Sequence, residues 1–279
     1  MTSNRARTPT EFSHPVAPPD KSSASADLPA AMEQFCALLL RGDDLSVHSI
    51  GQWSASDVAA HVATTLEINV DVACGRGSPV NALEDVPAVC QSALESVVDR
   101  SPQVLVERIH RAVGELTNAV SSRDGNPLIP WHTGLQVPLS TVPALMVGEA
   151  MIHGYDIARA HGRQWHIPTR WAETILRGMV QGISPYFLPE KAAGLNAQIE
   201  VRIRGSQTRA LFGVADGNLQ IAEPGNARAD CYVSGEPTAL LLLLYGRTSP
   251  LRPALTGRVV AWGRRPWLAL RFPGLFRNP

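Results

Sequence analysis

Residues 142–162 read VPALMVGEAMIHGYDIARAHG and predict a single helix. Pro143 is tolerated in the first turn of a helix, and Gly162 is the residue type expected just after a helix ends. Glu149 and His153 are four residues apart, so they lie one turn apart on the same face. That face is otherwise largely apolar and should be buried, since it also carries Val142, Leu145, Met146 and Asp156.

A buried carboxylate is costly unless a cation or a metal ion accompanies it, so Glu149 needs a partner. His61 shows the same anomaly, because it lies in the apolar stripe of a second predicted helix that begins at the capping-box pair Ser54 and Asp57. Two histidines and one glutamate are the ligand set of an open catalytic zinc site. From spacing alone, a core ion pair or a hydrogen-bonded core histidine is also possible.

The rest of the chain predicts an α domain followed by a smaller α+β domain, with a boundary at about residues 185–195. Further helices are predicted over residues 28–40, 86–98, 102–121 and 170–183. After Asn196 the apolar period changes from 3.6 to 2, which is typical of half-buried strands. Asp216-Gly217 predicts a tight hairpin. Residues 1–28 are rich in Ser, Pro, Thr and Ala and predict a disordered tail.

Composition excludes several functional classes. The 279 residues are 44% hydrophobic and 18% charged with a formal net charge of zero, so no basic surface for nucleic acid is indicated. The longest apolar run, Ala239 to Tyr245, is far shorter than the roughly 20 residues of a membrane span. The four cysteines show no CxxC spacing, which disfavours a disulfide framework and indicates a reducing cytoplasm. No secretory signal is apparent, and a monomer or homodimer is expected.

Two segments together resemble the signature stretches of mycothiol-dependent maleylpyruvate isomerase-like proteins. They are WSASDVAAHV, residues 53–62, and GEAMIHGYDIARAHG, residues 148–162. The resemblance implies a DinB-like four-helix bundle over residues 29–188 whose divalent metal, most simply zinc, is held by His61, Glu149 and His153. Residues 229–247 and 255–263 resemble the accompanying sterol-carrier-type domain, here assigned to residues 192–279.

The same resemblance implies a function. It predicts a metal-dependent enzyme that activates the low-molecular-weight thiol mycothiol for isomerisation of, or S-transfer to, a small electrophile. Arg247 matches the position of a catalytic arginine in the C-terminal domain; alternatively it interacts with the dipole at the end of the preceding helix. Asp156 is expected either to orient His153 or to pair with Arg159 or Arg163. The rival function is a non-enzymatic carrier that binds an apolar ligand in the C-terminal domain, with a structural metal in the bundle.

Overall fold

The computed structural model describes residues 15–226 and 228–277. The described residues form two compact units: one spans Pro18–Pro185, and the other comprises residues 186–226 and 228–277 together with residues 15–17. The division lies slightly before the sequence-based domain limits of 188 and 192.

The first unit is built from six helices and two short hairpins within the described residues. The hairpins pair β1 (His48–Ile50) with β2 (Trp53–Ser54), and β3 (Leu128–Pro130) with β4 (Gln136–Pro138). The helices are α1 (Lys21–Leu39), α2 (Ala55–Ala73), α3 (Val86–Glu95), α4 (Pro102–Ser121), α5 (Thr141–Ala160) and α6 (Thr169–Gly182).

Four of these helices form a closed ring: α1 packs on α4 and α5, and α2 packs on the same two helices. Each helix therefore buries an apolar stripe against two neighbours, which is the arrangement of a four-helix bundle. Fully buried side chains from all four helices fill the centre, among them Phe35, Leu66, Leu105, Leu116 and Ile152. The predicted bundle is confirmed, and α6 packs on the outside against α5.

The predicted tail needs a correction. Residues 1–14, including His14, lie outside the described residues, but residues 21–28 form the first two turns of α1 rather than disordered chain. Asp20 caps this helix by accepting a hydrogen bond from the Ser23 amide at 2.8 Å. Ala24 and Leu28 are fully buried. Small residues do not form an apolar core by themselves. They can still be part of a helix when the other helices of the bundle supply that core.

The second unit is a five-stranded sheet with short helices. Its strand order is β7-β6-β5-β8-β9; β5 and β8 are parallel, and the other pairs are antiparallel. Asp216 and Gly217 both have positive φ angles, 51° and 75°, in the turn between β6 and β7, as the predicted hairpin requires. The elements are β5 (Ala197–Ile203), β6 (Arg209–Ala215), β7 (Asn218–Ala222), β8 (Cys231–Gly235), α7 (Pro237–Leu244), α8 (Leu251–Leu255), β9 (Val259–Trp262) and α9 (Leu268–Arg271).

The two-domain α and α+β fold class is thus confirmed. The terminal helix α9 spans only four residues. Within the described part of the chain, no helix combines the length and the hydropathy needed to cross a bilayer.

Candidate metal site

His61 is positioned by the local structure at the start of α2. The Ser54 hydroxyl accepts a hydrogen bond from the Asp57 amide, and the Asp57 carboxylate accepts one from the Ser54 amide, so the predicted capping box is present. This fixes the first residue of α2 and places His61 two turns into the helix. The Trp53 ring, directly before the cap, lies 4.9 Å from the His61 ring between centroids.

Glu149 and His153 lie on consecutive turns of α5, as the spacing predicts. Position 154, directly after His153, requires a glycine because no side chain fits there. A Cβ atom at this position would lie 2.2 Å from the Trp165 ring, whose Nε1 donates a hydrogen bond to the Met151 carbonyl at 2.9 Å. The glycine of the HGYD sequence thus allows Trp165 to pack directly on the backbone of α5.

Gly154→Ala is therefore expected to lower the thermal stability of the protein. Displacing the Trp165 ring should cost about 1–3 kcal/mol, which exceeds the helix-propensity gain of about 1 kcal/mol from replacing glycine. The matched control is Gly114→Ala in α4, where a Cβ atom meets nothing within 4 Å and stability should rise. Thermal unfolding of both variants tests this; an equal rise in Tm for the two would contradict the role of Gly154.

The three predicted ligands converge. One ligand atom from each of His61, Glu149 and His153 lies within 4.8 Å of the other two. Oε2 of Glu149 is 3.2 Å from Nε2 of His153 and 3.5 Å from Nε2 of His61. The two imidazole rings meet edge to face with centroids 5.1 Å apart. Two helices that are distant in sequence thus direct two nitrogens and one carboxylate oxygen to a common point.

Burial and neighbouring charges shift the pKa values of all three groups. Burial alone would raise the pKa of Glu149, but the two histidines outweigh it and hold this pKa well below its usual range. Burial lowers the pKa of His153, but the adjacent carboxylates of Asp156 and Glu149 prevail and raise it to about 9. Burial also lowers the pKa of His61, but the neighbouring Cys90 thiol and Glu149 carboxylate outweigh this effect, so that this pKa is raised as well.

Asp156 lies on the far side of His153 from Glu149. Its carboxylate is buried, with Oδ2 3.3 Å from Nδ1 of His153. Of the two roles expected from sequence, the structure shows the contact with His153, whereas Arg163 pairs with Asp43. A carboxylate on Nδ1 favours the tautomer whose Nε2 is free to bind a metal.

His132 is half-buried in the loop between β3 and β4. Its Nδ1 lies 2.6 Å from the Ser78 hydroxyl. Burial lowers its pKa to about 4, although the Glu149 carboxylate acts to raise it. No apolar periodic pattern surrounds this histidine, so the sequence gives no signal for its burial.

Arg247 belongs to the second unit and follows α7. Its Nη1 donates a hydrogen bond to the Tyr245 carbonyl at 2.7 Å, at the C-terminal end of that helix. This is the contact expected of an arginine at a helix C-terminus. The catalytic role of Arg247 stays a prediction.

The donor set fits a divalent metal. Oε2 of Glu149 is inaccessible to water and accepts no hydrogen bond of normal geometry from the described residues. A buried carboxylate oxygen left in this way is costly, and a cation shared with two imidazole nitrogens removes the cost. Two nitrogens and one carboxylate oxygen are a set that zinc accepts while keeping a further position for a small ligand.

The chain thus forms a helical bundle with a candidate metal site, followed by a small α+β domain, and comparison with known proteins assigns it to a family. Residues 29–158 match the model of the mycothiol maleylpyruvate isomerase N-terminal domain, and residues 170–270 match that of the MDMPI C-terminal domain. The chain therefore belongs to the mycothiol-dependent maleylpyruvate isomerase family.

Solved structures agree with this assignment at the level of the fold. The crystal structure of the mycothiol-dependent maleylpyruvate isomerase superposes with a TM-score of 0.54 at 18% identity, covering 87% of this chain and 92% of that one. A histidine-to-alanine mutant of that enzyme gives the same values. No curated protein matches the chain.

Proposed function

We propose that this protein is a metal-dependent enzyme that uses a low-molecular-weight thiol, mycothiol, to isomerise a small activated alkene such as maleylpyruvate. One observation carries the proposal: His61, Glu149 and His153 converge on a point where the buried Glu149 oxygen has no hydrogen-bond donor of normal geometry among the described residues. Family membership supplies the thiol and the substrate class.

The residues of the site have distinct tasks. His61 and His153 would hold a divalent metal through Nε2, and Glu149 would hold it through Oε2. Asp156 keeps the Nε2 lone pair of His153 directed at that point. A bound zinc ion would lower the pKa of a coordinated thiol, so that it is a thiolate near neutral pH.

Isomerisation needs the thiolate to add to a carbon–carbon double bond, rotation about the resulting single bond, and loss of the same thiol. S-transfer to an electrophile is the same addition without the later loss of the thiol. We include S-transfer in the proposal as the second outcome. Arg247 is proposed to bind a carboxylate of the electrophile.

Cobalt substitution tests the thiol step directly. The cobalt-loaded protein should develop a near-ultraviolet cobalt–thiolate absorption band with mycothiol at pH 8, because coordination favours thiolate over thiol. Incubation of the zinc form with maleylpyruvate and mycothiol should then consume maleylpyruvate without consuming thiol. Stoichiometric loss of thiol would instead favour S-transfer.

The absence of the band at saturating thiol would contradict thiol activation and favour the carrier function. A carrier has no reason to change thiol ionisation, and it should bind an apolar probe such as a long-chain fatty acid. S-Methylated mycothiol serves as the control ligand, because it retains the rest of the molecule and cannot form a thiolate.

A further inference from the structure

The sheet of the second unit carries a buried carboxylate between two arginines. Glu200 and Arg202 are two residues apart on β5, so their side chains lie on the same side of the sheet. Glu200 is only 4% exposed, and its Oε1 accepts a hydrogen bond from Nε of Arg202 at 2.7 Å. Nη1 of Arg209 on β6 lies 3.8 Å from the same oxygen. A buried carboxylate needs such partners, and Glu200 thereby holds two guanidinium groups at one place.

The charges of this group do not balance. Arg202 and Arg209 lie directly opposite each other in the antiparallel pairing of β5 with β6, and like charges in that position destabilise a sheet. Glu200 neutralises one of the two, and no other acidic side chain among the described residues forms an ion pair with either arginine. One positive charge is therefore in excess. The side chains of Arg202 and Arg209 are 35% and 50% exposed, so an anion from solution can reach them.

Two aromatic rings restrict the orientation of Arg202. Its Cζ lies 4.7 Å from the centroid of the Tyr232 ring and 5.4 Å from that of Trp262. The two rings are stacked on neighbouring strands, with centroids 5.4 Å apart and an angle of 14° between their planes. Trp262 is still 41% exposed. Nε of Arg202 is bonded to Glu200, whereas its Nη1 and Nη2 donate no hydrogen bond to the part of the chain that the structure describes.

We propose that Glu200, Arg202, Arg209, Tyr232 and Trp262, here called the Arg202 cluster, bind the carboxylate of a small, flat organic acid. Nη1 and Nη2 of Arg202 would each donate a hydrogen bond to one carboxylate oxygen, and Arg209 would supply the second positive charge. The flat part of the acid would stack on the exposed ring of Trp262. A singly charged carboxylate matches the single excess charge, and an aromatic surface favours a flat apolar group over a polyanion. The inference is independent of the proposed function, because the cluster contains none of the candidate metal ligands.

Three probes separate the ionic contact from the aromatic one. Benzoate carries both a carboxylate and a flat ring, benzyl alcohol has the ring without the charge, and acetate has the charge without the ring. In calorimetric titrations of the full-length holoenzyme at pH 7 and constant ionic strength, benzoate should bind saturably and each of the other two about tenfold more weakly or less. Acetate binding as tightly as benzoate, or inorganic phosphate binding more tightly, would contradict the proposed ligand class.

Variants assign the binding to particular side chains. Arg202→Gln should weaken benzoate binding about 10- to 100-fold, as expected for the loss of hydrogen bonds from a charged donor. The matched control is Arg264→Gln, which removes another exposed arginine of the same unit that pairs with Asp230, and its affinity should equal that of the wild type. Trp262→Ala changes an exposed residue and should also weaken benzoate binding. It provides the test if Arg202→Gln fails to fold because Glu200 loses its closest partner.

A carboxylate is also able to bind a metal ion, so the site of benzoate binding must be located. In nitrogen-15 spectra the indole N–H signal of Trp262, identified by its loss in Trp262→Phe, should shift as benzoate is added. The shift should occur equally in His61→Ala, which lacks a candidate metal ligand. The absence of saturable binding, unchanged affinity in both Arg202→Gln and Trp262→Ala, or loss of binding in His61→Ala would each overturn the inference.

Discussion

Glu149→Ala protein should be purified almost free of divalent metal, whereas the wild type should carry about one equivalent per chain. Removing a residue that only orients a metal ligand weakens metal binding about 10- to 100-fold, so loss of a ligand itself should weaken it further. Thiol-dependent activity should fall in parallel, and the cobalt–thiolate band should disappear. Elemental analysis together with the band measures both effects.

The chain offers a matched control. His110 and Glu33 form a second histidine–glutamate pair, with Nε2 and Oε2 3.1 Å apart, on the exposed surface. His110→Ala removes an imidazole from such a pair and should leave metal content unchanged, while His61→Ala should lower it as Glu149→Ala does. Full metal occupancy in both His61→Ala and Glu149→Ala would refute the site.

Metal affinity should fall steeply as the pH decreases from 8 to 6. The pKa of His153 in the metal-free protein is raised to about 9, so below this pH a proton occupies the nitrogen that the metal needs. Each pH unit below that pKa weakens apparent binding tenfold, which gives about 100-fold between pH 8 and pH 6 from His153 alone. The raised pKa of His61 makes the decrease steeper.

Competition between the protein and a chelator of known affinity, measured across this range, provides the test. Asp156→Asn is the informative variant, because it removes the first of the two groups that raise the pKa of His153. Its affinity should be lower at pH 8 but less dependent on pH. A pH-independent affinity in the wild type would show that His153 is not a ligand.

The elements of this fold that could be predicted from the sequence are those with a regular period of apolar residues. The capping box before α2, the stripe of α5 and the alternating strands β5 to β8 each follow a period that burial imposes on many residues at once. The start of α1 was placed too late, because the sequence from Lys21 to Asp27 is polar and small. Those residues become helical through contacts with distant helices, for example the ion pair between Asp27 and Arg170 at 3.3 Å.

The same distinction between periodic patterns and tertiary contacts applies to the candidate site. Glu149, His153 and His61 could be found because each is a polar residue on an otherwise apolar helical face. The burial of His132 could not be predicted, since its environment depends on Ser78, which approaches it from a different loop and follows no period. A buried position in a loop leaves no mark in a single sequence unless the tertiary contacts are known.

His61 and Glu149 lie on helices that are far apart in sequence but pack together, so a metal ion bound by both would also affect the stability of the bundle. An ion bound by residues of both α2 and α5 would be a reversible cross-link between these two helices, and it would close the long loop of chain between them. At free metal one hundred times its dissociation constant, the bundle gains about 2.7 kcal/mol against unfolding. If the metal binds as proposed, the lifetime of this protein under heat or proteolysis should increase with the concentration of free metal.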